Sequence, residues 1–383
     1  SLGHAAGDAL LVTLADRIRA AAPPGTLAAR LGGDVFGLLW TADGADSAGE
    51  AAKATLDAAA VPLEIAGRRI VPGVRGGLFV PDESPRDAAG VLSDVELALA
   101  AARKAPVGTL VYFSPVMRDA KAERAILERD LIGALDRGEV VIHYQPIVLV
   151  ADRRPAGFEA LLRWQHPQRG LLTAEAFAGI AEDSGLIEAL GRFALETAVK
   201  DSARWRRMAP QQPPLFVNVN VSAKQLASQA FLELCERMGA GSSAPQGAIR
   251  LEITETLAID DTGAAATALQ RLRRAGFGMV MDDFGAGHST PSRLAHLPFD
   301  AVKIDRSFLM GGSAAHNVLA GLLRLAADLG LDATTEGVES EEDLAFLAAN
   351  GCVYAQGYHT GMPRDAAAIQ RYLLEITASA DVE

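Results

Sequence analysis

Cysteine is almost missing from this chain: its 383 residues include only Cys235 and Cys352, both in apolar stretches. Two cysteines build neither a disulfide framework nor a zinc cluster, and their scarcity points to a reducing, cytoplasmic compartment. Aromatic residues are also few, at 5%, which suits closely packed helices and strands better than an aromatic-lined binding surface. Positive charge is in deficit, with 36 Lys and Arg against 48 Asp and Glu. The resulting net charge of -12 leaves no electrostatic footprint for duplex nucleic acid. No apolar run approaches the length of a membrane span, and no signal-peptide pattern opens the chain. The first residues, SLGHAAGDALL, already read as the start of a helix. A fragment of a longer protein is therefore expected, with a sensor or membrane anchor as the missing segment.

What is present is ample apolar side chain, 49% of residues, over a length suited to two domains. Residues 5–21 carry Leu10, Leu11, Leu14 and Ile18 at helical spacing and stop at Pro23-Pro24-Gly25. Apolar runs at Leu27–Arg30 and Val35–Trp40 flank Gly32-Gly33-Asp34, a hairpin signal. Helical stretches near 51–60 and 85–104 and strand-like runs at 62–65, 69–80 and 109–113 complete a small α+β domain of antiparallel strands and helices. Residues 119–137 are charged and helical, and read as a connecting helix. The expected domains are 1–116, a linker helix over 117–137, and 138–383.

In the third segment the rhythm changes. Strand-like runs recur at 140–148, 157–162, 215–221, 249–253, 278–281, 299–304, 331–335 and 352–356, with amphipathic helices such as 186–205, 264–275 and 318–329 between most of them. This alternation predicts an α/β fold, a TIM-like (β/α)8 barrel. The connection from Val148 to Gly157 is too short for a helix, so the first strand must run antiparallel to the second.

The ends of these strands carry the chemistry. Glu159 lies in the second, Asn220 ends the third and Glu252 lies in the fourth. Asp282 and Asp283 end the fifth, Lys303 ends the sixth, Glu336 follows the seventh and Gln356 closes the eighth. Singly, each acid reads as a helix cap or salt-bridge partner, and Asn218 and Asn220 as hydrogen-bonding partners of backbone groups. Together, uncompensated carboxylates at one barrel mouth would repel each other unless cations join them. Hard oxygen donors without Cys or His suit Mg²⁺ or Mn²⁺ rather than zinc. Adjacent aspartates allow one carboxylate to bridge two ions, the usual apparatus for in-line attack on a phosphodiester. Lys303 is placed to hold the attacking water or stabilise phosphoryl oxygens.

These residues fall in motifs: Tyr144-Gln145-Pro146-Ile147, Glu159-Ala160-Leu161 continuing to Arg163-Trp164, Asn220-Val221-Ser222, Glu252-Ile253-Thr254-Glu255, Asp282-Asp283-Phe284-Gly285, Lys303-Ile304-Asp305, Glu336-Gly337-Val338-Glu339 and Gln356-Gly357-Tyr358. From about Ala122 onward the chain resembles the EAL phosphodiesterases. The resemblance implies hydrolysis of cyclic di-GMP to linear pGpG, with Glu159, Lys303 and Glu336 as catalytic residues. It implies that Glu159, Asn220, Glu252 and Asp282 hold one metal and that Asp282, Asp283 and Glu336 surround a second. Gln145, Leu161, Arg163, Asp305, Glu339 and Gln356 match positions near the dinucleotide, and Glu255 one that anchors the loop after the aspartate pair. That loop departs from the family pattern at Ala286, His288 and Pro291, as does Thr335 before the Glu-Gly-Val-Glu motif, but no ligand position is lost.

The first domain resembles the diguanylate cyclase (GGDEF) family through Gly3-His4, Gly7-Asp8 and Gly32-Gly33-Asp34-Val35-Phe36. Val35 replaces an acidic metal ligand, the family's first strand is missing, and Pro23 and Thr26 replace its product-inhibition Arg and Asp. A regulatory or dimerising module without cyclase activity is expected, with GTP a candidate ligand and a homodimer implied by the family. A catalytically silent cyclic di-GMP receptor is the alternative function, and a barrel acting on another phosphodiester is a third.

Overall fold

A computed structural model describes residues 4–65, 67–81, 87–210, 214–240, 244–258, 263–285 and 297–380. Gly3, Ala286, His288 and Pro291 lie outside the described residues. The chain divides into two compact units, Ser1–Ile126 and Leu127–Glu383. Among the described residues, no helix is long and apolar enough to cross a membrane.

In the first unit the helix His4–Ala21 precedes an antiparallel hairpin of β1 (Leu27–Gly32) and β2 (Val35–Leu39). Gly33 turns it with φ 52°, a left-handed conformation that costs glycine little. The helix Ala45–Ala60 is followed by the antiparallel pair β3 (Leu63–Ile65) and β4 (Arg68–Ile70). The run expected as one strand over 69–80 is broken, with β5 (Gly76–Leu78) separate from β4. Pro72, between them, has no N–H to give a sheet. The expectation of antiparallel strands throughout is corrected as well, because β5 pairs parallel with β6 (Leu110–Tyr112). The helix Ala88–Lys104, capped by Asp87 accepting from the Gly90 N–H, is the crossover that a parallel pair requires.

The connecting helix spans Pro115–Leu131 rather than 119–137. It stops short because Gly133 takes φ 75°, and residues 132–138 form turns. Beyond the turns, the Glu139 carboxylate accepts hydrogen bonds from Arg137 Nε at 2.7 Å and Trp164 Nε1 at 3.1 Å. These lower its pKa from 4.5 to about 2. A depressed carboxyl adds stability that is complete above its ordinary value and is lost as pH falls toward about 2. Glu139→Gln is therefore expected to flatten the acid limb of stability between those values. Urea midpoints measured down the acid range check this, and an unchanged limb would refute it.

The second unit is a closed barrel. Its strands are β7 (Val140–Leu149), β8 (Pro155–His166), β10 (Phe216–Asn220), β11 (Ile249–Thr254), β12 (Gly278–Asp282), β13 (Ala301–Ile304), β14 (Asp332–Thr335) and β15 (Tyr354–Ala355). β8 through β15 pair in parallel in that order, apart from β9 (Gly170–Thr173), which lies outside the ring on the edge of β8. β7 closes the ring antiparallel to both β8 and β15, and Arg153 at φ 62° turns the β7–β8 hairpin. A short β16 (Arg364–Asp365) adds to β7.

The strands form because they are apolar on both faces. One face meets the helices, where Tyr144, Phe158, Leu251, Ile253, Met279 and Val302 are fully buried. Trp205 on the helix Ile187–Met208 seals this layer, with its ring 4.6 Å from Tyr144 and 5.1 Å from Phe158. The Tyr144 hydroxyl donates to Asp201 on the same helix at 2.6 Å. Trp205→Ala is expected to cost about 3–5 kcal/mol, measured by denaturant unfolding; a cost below about 1 kcal/mol would show that this contact does not hold helix to barrel.

Candidate active site

Parallel strands expose their C-terminal ends at one mouth, and the polar residues of the barrel collect there. On β10, Asn218 and Asn220 are two residues apart and project from one face, with Asn218 opposite Glu159 and Asn220 opposite Glu252 in register. Lys303 on β13 is 1% exposed and Glu252 is likewise 1% exposed. The Lys303 ammonium is the hub: its Nζ lies 2.6 Å from Glu336, 3.1 Å from Glu159, 3.1 Å from Glu252 and 3.9 Å from Asp282. Four strands, two through residues within them and two at or just past their ends, thus deliver four carboxylates to one cation.

Amides hold these carboxylates in place. Asn220 Nδ2 donates to Glu159 at 2.8 Å and Gln356 Nε2 donates to it at 2.6 Å. Gln356 also reaches Gln145 Oε1 at 3.2 Å, and Gln145 donates in turn to the Gly361 carbonyl. Asn218 Nδ2 donates to Glu252 at 2.7 Å. Gly357 lets the chain pass this point, since a Cβ there would lie 2.1 Å from the Val338 carbonyl oxygen.

The electrostatics are unbalanced. Burial raises Glu159, but the Lys303 ammonium and the amide donors outweigh it and hold the carboxyl at about 2. Burial, with Glu159 beside it, pushes Glu252 well above the ordinary carboxylate range despite Lys303. Glu336 is raised by burial, with Glu159 and Asp282 adding to the rise against Lys303. Burial would lower Lys303, yet the surrounding carboxylates drive it well above its usual value. One ammonium does not neutralise four carboxylates, and buried excess charge is costly. This donor set, rich in hard oxygens and short of positive charge, fits divalent cations of the Mg²⁺ or Mn²⁺ type. Among the described residues no three or more acidic, imidazole or thiol side chains are drawn together closely enough to hold a metal ion as they stand; the carboxylates meet on Lys303 instead.

The other residues singled out from sequence are placed as follows. Asp283 follows β12 with φ 57°, a left-handed conformation that aspartate tolerates better than most residues. Burial, together with Asp282 and Asp305, raises its carboxyl. Glu255 accepts from the Gly285 N–H at 3.0 Å, fixing the chain just past the aspartate pair. Asp305 accepts from the Ser307 N–H at 2.9 Å, and the Glu339 N–H donates to Asp343. Leu161 and Arg163 continue the face of β8 that carries Glu159, and Arg163 Nη1 donates to the Leu162 carbonyl. Sequence reasoning missed Asn218 as the holder of Glu252; the Asn-Val-Asn alternation on a strand was the signal that placed both amides on one face.

Residues 128–363 match the EAL domain family, and residues 1–108 match the diguanylate cyclase, GGDEF domain family. The chain is 33% identical over 371 residues to the bifunctional diguanylate cyclase/cyclic di-GMP phosphodiesterase MucR of Pseudomonas aeruginosa, covering 95% of this chain and 53% of that protein. It is 32% identical over 374 residues to the cyclic di-GMP phosphodiesterase PdeR of Escherichia coli, covering 97% of this chain and 56% of that one. The chain spans about half the length of the curated relatives it matches. Among solved structures, the PaMucR phosphodiesterase in complex with c-di-GMP aligns with a TM-score of 0.60 at 34% identity, over 64% of this chain and 99% of that one. Barrel, strand-end acids and sequence agree: the chain belongs to the EAL domain family, with a GGDEF domain preceding the EAL domain in the sequence.

Proposed function

We propose that this chain hydrolyses cyclic di-GMP to linear pGpG with two Mg²⁺ or Mn²⁺ ions. The observation that carries this reading is the convergence of Glu159, Glu252, Asp282 and Glu336 on a single buried ammonium. Relatives named as cyclic di-GMP phosphodiesterases support the substrate. Glu159, Asn220, Glu252 and Asp282 would hold one ion, and Asp282, Asp283 and Glu336 the other. Bound there, the ions would lower the pKa of water and neutralise charge on the phosphoryl group.

The chain's own residues do the rest. Lys303 donates a hydrogen bond to the attacking water, which Glu336 helps to orient at 2.6 Å from the ammonium. Gln356 and Asn220 hold Glu159 ionised and fixed, so that its oxygens need no reorganisation during reaction. Gln145, Leu161, Arg163, Asp305, Glu339 and Gln356 bind the dinucleotide, Arg163 as a phosphate or base contact. Glu255 anchors the segment after Asp283.

The GGDEF domain is regulatory in this reading and makes no cyclic di-GMP, because the isopropyl group of Val35 offers no oxygen to a metal. GTP is its candidate ligand, a homodimer the proposed assembly and the cytoplasm the proposed compartment. Chromatography of the products formed from cyclic di-GMP with Mg²⁺ or Mn²⁺ tests the activity. Metal-dependent pGpG supports it, and tight nucleotide binding without product favours a silent receptor.

A further inference from the structure

The strand register sets out a second recognition row beside the proposed catalytic one. On β7 and β8, Gln145 lies opposite Glu159, His143 opposite Leu161 and Val141 opposite Arg163. On the other edge of β7, Asp365 of β16 lies opposite His143. Residues directly opposite each other in antiparallel strands project from the same face, and that face repeats every second residue. Leu161, His143 and Asp365 therefore form one row across three strands. It lies one step, roughly 7 Å, outward from the row of Gln145 and Glu159. Leu161 and Arg163, on this row and the next, are proposed substrate contacts, whereas His143 and Asp365 have no role so far.

The three-dimensional arrangement supports a binding role. His143 and Asp365 line a cleft of about 460 Å³ with Gln165, His166, Gly170 and Leu171, a size suited to part of a small ligand. The exposed Asp365 is oriented by its Oδ1 accepting from the Ala368 N–H at 2.7 Å, at the start of the helix Ala366–Ala380. Among the described residues no second hydrogen bond reaches this carboxylate, so its Oδ2 can accept from a ligand. His143 is half-buried, and burial, aided by the Arg163 guanidinium, holds its imidazole below the usual value against the Asp365 carboxylate.

We propose that Asp365 and His143 read the Watson–Crick edge of one guanine of the substrate. The Asp365 carboxylate accepts from the guanine N1–H and 2-amino group, and a His143 ring N–H donates to O6. A guanine joined through its ribose to a phosphate at the metal site would lie outward from it, on the side of this row. The assignment rests on cyclic di-GMP being the ligand, and it adds to that reading a residue pair that selects guanine.

The test compares binding of cyclic di-GMP and of its inosine analogue, which lacks only the 2-amino groups, by calorimetry on the full chain. Wild-type protein is expected to prefer cyclic di-GMP by at least about tenfold, one good hydrogen-bonded contact. Asp365→Asn retains the helix cap, since asparagine caps as well as aspartate, and is expected to lose most of that preference. His143→Ala is expected to weaken both nucleotides alike, because both carry O6, and to leave the preference intact. A wild-type preference that survives Asp365→Asn unchanged overturns this assignment alone. Wild-type protein that binds neither nucleotide overturns it together with the substrate reading.

Discussion

Glu159→Ala is expected to lower turnover of cyclic di-GMP by at least about 100-fold, the scale on which disturbing even the support of a metal ligand acts. Its carboxylate is held by three donors, receiving Gln356 at 2.6 Å, Asn220 at 2.8 Å and Lys303 at 3.1 Å. Those donors keep it ionised against burial, which is the state a divalent cation requires. Alanine removes a proposed ligand and takes one acceptor away from each of Gln356, Asn220 and Lys303. Mn²⁺ affinity is expected to fall together with rate, so calorimetry separates ligand loss from a purely structural fault. Near-normal turnover at saturating Mg²⁺ would remove Glu159 from the metal site.

Lys303→Met is the second large effect, and its readout differs. Methionine keeps an unbranched stem of similar reach but takes the positive charge away from Glu159, Glu252 and Glu336. Removing one partner of a buried charged cluster typically costs about 3–5 kcal/mol. The metal-free variant is expected to lose stability on that scale, and added Mg²⁺ to restore part of it by supplying the missing charge. Turnover should not return with stability, because the donor to the attacking water is gone. Denaturant unfolding with and without metal checks this; a metal-free loss under about 1 kcal/mol would show that the ammonium is not the cluster's counter-charge.

Much of the barrel was legible because its strands are buried on both faces, which writes them as continuous apolar runs such as Leu215–Val221 and Phe299–Ile304. The antiparallel start followed from a connection too short for a crossover helix. Gly170–Thr173 and Arg364–Asp365 carried no such pattern; they are strands only because β8 and β7 offer them an edge. The connecting helix ends earlier than its charged pattern suggests because Gly133 takes a positive φ, which the residue pattern alone does not reveal. In the first unit, the parallel β5–β6 pair depends on a crossover that strand runs alone do not reveal.

The site divides along the same line. Acids at the ends of apolar strands stood out as candidates, since charge there is costly unless used. The pairings did not: Gln145 meets Gln356 across 211 positions, and Asn218 meets Glu252 across 34. Such pairings depend on barrel closure and register. The row of Leu161, His143 and Asp365 was invisible for the same reason, because it exists only once β16 has paired with β7.

The most direct test of the central claim is to incubate the purified chain with cyclic di-GMP and Mg²⁺, Mn²⁺ or Ca²⁺ and separate the products. The two-ion reading predicts pGpG with Mg²⁺ or Mn²⁺, none after chelation, and inhibition by Ca²⁺, whose looser coordination suits the site poorly. Cyclic di-GMP bound but left intact with every metal would contradict it.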